Sequence, residues 1–253
     1  METKPFLAFF RAQIKMLKSQ MIAFSFLSII LIVGFSLLSI KGNFVKSEFS
    51  ESFGLIVWIM IGLMTSNIAA GIGVDDFSKR TGLIILSQPV DRKTIIIARI
   101  IACFVFMILP LSLIYISGII SAFTIYKFIM PNLIFSFLLA LFYTFSFIVF
   151  VTGIGAISKN RNTPLSVGLT VSLLAVFVFA VFGKLLGIEP WFFLPYGGLI
   201  ISNIITVPAL PHINPENFFF YYTPYVLEAL IIMLAYSLIF ICISFLAYIR
   251  RQI

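Results

Sequence analysis

Six stretches of the chain, residues 21–40, 53–74, 100–122, 132–157, 165–183 and 225–249, are apolar almost throughout, and short polar segments separate them. Each has about the 20 residues that an α-helix needs to cross roughly 30 Å of hydrocarbon. Unpaired backbone groups are too costly in lipid for open strands, so each stretch predicts a transmembrane helix. Two further segments break this pattern. In residues 1–19, Phe6, Phe10, Ile14 and Leu17 recur at helical spacing beside a face carrying Arg11, Lys15 and Lys18. That predicts an amphipathic helix lying in the headgroup plane. Residues 191–208 are apolar but interrupted by Pro195, Gly197 and Gly198. The unbroken part, 199–207, would rise only about 14 Å, half a bilayer. We expect a re-entrant or half-helix element there, within an outer loop over 184–224; a seventh span is the competing reading.

Composition removes the alternatives to a membrane fold. Of 253 residues, 61% are hydrophobic and 10% charged, with 30 Phe and a mean hydropathy of +1.16. A soluble domain carries about 25% charged residues, and so many large apolar side chains could not be hidden in one core of this size. The expected fold is an all-α integral membrane protein, a single domain over 1–253. Cys103 and Cys242 both fall in apolar runs and read as packing residues. No small-residue cleavage site follows the first apolar run, so residues 1–19 are expected to be retained.

The net charge of +8 matters through its distribution. With six spans and an internal N-terminus, only Lys41, Lys46, Lys127 and Lys184 of the 17 Lys and Arg residues fall outside. This bias orients both termini toward the cytoplasm, in the cell membrane. A nucleic-acid partner is not implied.

The loop over 75–99, DDFSKRTGLIILSQPVDRKTIIIAR, is the longest and most charge-dense connection on that side. It encloses a short apolar core at 83–86, ended by Pro89, which cannot continue a helix. So short a helix is unstable alone in water, and the pattern predicts that it forms when docked on the membrane or in a groove of another protein.

These residues carry a resemblance. Arg80-Thr81-Gly82-Leu83, followed by Leu86-Ser87-Gln88-Pro89-Val90-Asp91-Arg92, resembles the first cytoplasmic loop of permease subunits of type-2 ATP-binding-cassette exporters. Gly153-Ile154-Gly155-Ala156-Ile157-Ser158 is similar to a second, weaker signature of that family. The reversed order Thr81-Gly82, and the distance from Asp75-Asp76 to the glycine, depart from its pattern. The resemblance implies a coupling helix between spans 2 and 3 that rests on a separate cytoplasmic ATPase subunit. Leu83, Ile84 and Leu86 would supply the apolar contact. Asp75, Asp76, Arg80, Thr81, Gly82, Pro89 and Arg92 would complete it. ATP and Mg would bind the partner, and a second permease copy, like or unlike, would complete the transporter.

The chain itself holds no phosphate-binding GxxxxGK[ST] loop and no HExxH or Cys cluster. It is expected to bind no cofactor or metal and to catalyse nothing. The one histidine, His212, reads as a loop residue. The spans carry almost no ionisable side chain, which counts against an ion-coupled carrier. Their densest polarity is in span 2, where Gly62, Ser66 and Ala70 form one small-residue ladder and Ala69 and Gly73 another, beside Thr65 and Asn67. Such ladders suit close helix packing, or a pathway or dimer seam. The alternative to a permease is a non-transporting multipass scaffold or assembly factor that uses the same apolar loop against another soluble partner.

Overall fold

A helix ends at its caps and not at the edge of its apolar run. The structure, a computed structural model, describes residues 3–42, 44–75, 92–206, 212–213 and 221–250. Its elements in chain order are α1 (Thr3–Lys41), α2 (Lys46–Ala69), α3 (Ile72–Asp75), α4 (Arg92–Tyr126), α5 (Leu133–Ile157), α6 (Asn162–Phe179), α7 (Leu194–Gly198), α8 (Ile200–Asn203) and α9 (Val226–Arg250). A π-helical turn, Ala180–Leu185, continues α6. Six of these helices (α1, α2, α4, α5, α6 with its turn, and α9) are long and apolar enough to cross a membrane. The all-helical, six-span architecture expected from the pattern is therefore present. Among the described residues the only extended pairing is an isolated bridge between Ile213 and Tyr222.

Two boundaries differ from expectation. The amphipathic stretch at 1–19 is not set apart from the first span, because α1 runs through 39 residues without a break, about 58 Å. Nothing in its sequence could break it. Pro5 sits in the first turn, where its missing N–H costs nothing, and the first glycine, Gly34, lies far along the helix. At the other boundary, α4 takes in residues 92–99, which the pattern assigned to the loop. Ile95, Ile96 and Ala98 are buried there, so that packing extends the helix past the polar residues that mark the apolar run's edge.

Consecutive spans run in opposite directions. At one end the C-terminal part of α1 meets the start of α2 and the end of α4, with Phe35 stacked on Phe49 (5.2 Å between ring centres) and Phe49 against Tyr126 (5.1 Å). At the opposite end the Tyr248 hydroxyl, near the end of α9, donates to Ile72 O of α3 at 3.1 Å. Helices α2, α4 and α5 form the buried centre, while α1, α6 and α9 lie outside them with broad apolar faces exposed. α1 lies chiefly on α4, and its buried residues form one stripe, Gln13, Leu17, Ser28, Ile32, Ser36 and Ser39.

Candidate functional site

The sequence-predicted polar ladder of span 2 is closely packed in the centre of the bundle. Glycines of α2 and α6 face serines of the other helix. A Cβ on Gly62 would stand 2.1 Å from Ser172 Oγ, and one on Gly168 would stand 2.4 Å from Ser66 Oγ. Small residues in this register let two backbones approach in a medium that gives no hydrophobic push. The hydroxyls are committed to their own helices: Ser66 donates to Gly62 O (2.6 Å), Thr65 to Ile61 O (2.6 Å) and Ser172 to Gly168 O (2.9 Å). Asn67, half-buried, donates through Nδ2 to Leu63 O at 2.9 Å. Ala70 is buried in the turn after α2, and Gly73 belongs to α3. The Gly62–Ser66 face is thus covered by α6 of the same chain.

Of the residues expected to meet an ATPase, Asp75 ends α3 and Arg92 opens α4. Asp76, Arg80, Thr81, Gly82, Leu83, Ile84, Leu86 and Pro89 lie outside the described residues.

Between α6 and α9 the chain turns inward. α7 and α8 pack among α2, α5 and α9, and Leu194, Tyr196, Leu199, Ile200 and Ile201 are all buried. Trp58 Nε1–H donates to Pro195 O at 3.1 Å, twelve residues along α2 from Lys46, a depth of about 18 Å. Further bonds stitch the segment in place. Ser202 donates to Glu51 O (2.8 Å), Ser136 to Ile201 O (2.9 Å), Asn132 Nδ2 to Ile204 O (3.4 Å), and Tyr236 to Phe192 O (2.7 Å). The glycines here serve close packing, and Gly197 and Gly198 lie within α7. A Cβ on Gly198 would fall 2.6 Å from the Trp58 ring, and one on Gly54 would fall 2.3 Å from Ser202 Cα.

At the mouth of this segment three ionisable side chains converge that no sequence spacing connects. Glu189 precedes α7, His212 lies in the following loop, and Glu228 is in the first turn of α9. One ligand atom from each lies within 4.8 Å of the other two. His212 is held on both sides of its backbone and ring: Thr223 N–H donates to His212 O (2.9 Å), and His212 Nδ1 is 2.7 Å from Thr223 O. A carbonyl can only accept, so Nδ1 carries the hydrogen. The ring stacks on Tyr225, with centres 4.4 Å apart and planes 14° from parallel. Its Nε2 points toward Glu189 Oε2 at 3.7 Å. The Tyr196 hydroxyl donates to the other oxygen, Glu189 Oε1, and Tyr225 N–H donates to Glu228 Oε2 at 2.9 Å. Burial first, then the bond to Glu189 and the two carboxylate charges, push the Tyr196 hydroxyl well above its ordinary value and keep it a donor. Beside the cluster, His212, Thr223, Tyr225 and Asn203 line a cavity of about 250 Å³.

Sequence reasoning read His212 as an isolated loop residue and did not connect it with either glutamate. The available signal was compositional: Glu189, His212 and Glu228 are three of the four Asp, Glu, His, Lys or Arg residues between Lys184 and Arg250. Compared with known families and with curated proteins, the chain matches no family model and no curated relative.

Proposed function

We propose that the chain is the membrane-spanning permease subunit of an ATP-binding-cassette exporter, moving its substrate when driven by a separate cytoplasmic ATPase. The observation that carries this reading is the charged loop with an apolar centre, residues 76–91. Closely packed helices bracket it, α2–α3 before and α4 after, at the end of the bundle where α1 begins and α9 finishes. Force applied to such a loop would be passed directly into α2 and α4, two of the three buried helices. The segment Leu194–Asn203 acts in this reading as a re-entrant element on the outer side. The termini and the 76–91 loop face the cytoplasm of the cell membrane, and a second permease copy completes the pathway.

The test is co-expression with an ATP-binding-cassette ATPase encoded beside the chain. The wild type and Lys159→Ala should retain the ATPase through purification. Leu86→Asp places a charge in the apolar contact, a buried hot spot worth about 2–4 kcal/mol, and should release it. Equal retention by Leu86→Asp overturns the docking role of the loop.

A further inference from the structure

Three side chains able to ligate a metal meet at the mouth of the α7–α8 segment, with one ligand atom of each within 4.8 Å of the others. His212 Nδ1 is occupied by Thr223 O, which leaves Nε2 as the free ring nitrogen. One oxygen of each glutamate is engaged, Glu189 Oε1 by the Tyr196 hydroxyl and Glu228 Oε2 by the Tyr225 N–H. What remains is an imidazole nitrogen and two carboxylate oxygens, drawn from three separate parts of the chain. Electron-rich atoms so arranged repel one another unless a proton or a metal cation lies between them.

We infer that Glu189, His212 and Glu228 bind one divalent cation of the zinc type. The donor set chooses the class. Imidazole suits zinc and its first-row neighbours, whereas calcium and magnesium prefer all-oxygen shells. Two carboxylates balance the double positive charge. A ligand triangle with sides of at most 4.8 Å has to contract by at most about 0.7 Å per atom to reach zinc bond lengths near 2.1 Å. The groups that would turn these ligands toward the ion are also in place. A carbonyl holds the ring tautomer, a tyrosine hydroxyl holds one carboxylate, and a main-chain N–H holds the other, which is the outer-shell arrangement of protein zinc sites. Three protein ligands leave a fourth position for water or an incoming ligand, and His212 also lines the adjoining cavity. The bound ion ties the start of α9 to the loop before α7 and to the bridge at Ile213 and Tyr222. None of this depends on the permease reading.

The experiment uses the full chain in detergent, purified without a polyhistidine tag, in a Cys242→Ser background that removes the exposed thiol. After chelator treatment, zinc alone is added and bound metal is measured by equilibrium dialysis. The chain should take up one zinc ion. His212→Ala and Glu228→Gln should each weaken binding tenfold or more while keeping the gel-filtration profile and helix content of the parent. X-ray absorption on the parent protein should show a nitrogen-and-oxygen shell. This second measurement stands even if a variant fails to fold. Uptake no greater than that of His212→Ala overturns the site and leaves a protonated histidine between two glutamates. A shell containing sulfur overturns it too.

Discussion

α1 and α2 invert the rule that holds in water. The most apolar window of α1 has a mean hydropathy of 2.6, yet only 17% of it is buried; that of α2 has 1.7, and 67% is buried. In water the greasier helix would occupy the core. In lipid, apolar side chains are equally at home outside, and position is decided by what packs closely and what needs a polar partner. α1 exposes Phe26, Ile30, Val33, Leu37 and Leu38, which lipid tails accept. α2 presents Gly54, Trp58, Gly62, Thr65 and Ser66, each of which meets another helix or carries a polar atom that is bonded within the bundle.

Three substitutions probe that inversion, from the largest expected effect to the smallest. Gly54→Val puts a side chain against Ser202 Cα, a backbone atom that cannot rotate away. It should cost about 3 kcal/mol or more, seen as loss of monodisperse protein in detergent; a normal yield and melting temperature would break the claim that α2 and α8 are locked together. Trp58→Phe keeps most of the apolar bulk but strands Pro195 O. A loss of about 1–3 kcal/mol is expected in thermal unfolding, and none if that carbonyl is already bonded elsewhere. Leu38→Ala, on the outer face of α1 where Leu38 is 66% exposed, should change stability by no more than about 0.5 kcal/mol. A loss equal to that of Trp58→Phe would mean that another chain covers this face.

The sequence made the helices legible because lipid acts on one property, apolar length, that any stretch of chain displays by itself. Their ends were less so. Hydropathy has no sensitivity to Ile95 and Ile96 packing beneath the charged start of α4, or to the absence of any helix breaker between Pro5 and Gly34. The break expected at Pro195, Gly197 and Gly198 falls at Leu199 instead: those three lie within α7, and α8 covers only 200–203 of the helix expected over 199–207. The close approach at Gly198, the indole of Trp58 pressed against it, comes from another span. The cluster of Glu189, His212 and Glu228 was illegible for a related cause. Its members share no spacing, and only the inward turn of α7 and α8 brings them together. The docking role proposed for Asp75–Arg92 shows the reverse situation, a clear pattern in the sequence whose central residues lie outside those described.

Residues 192–204 are stitched to the helices around them. Five side chain–backbone bonds, contributed by or received from Glu51, Trp58, Asn132, Ser136 and Tyr236, hold this segment to three spans. Swinging it outward would strand the buried groups among them, those of the Trp58–Pro195 and Ser136–Ile201 bonds, at about 1–3 kcal/mol each. The segment is therefore held as a fixed part of the bundle.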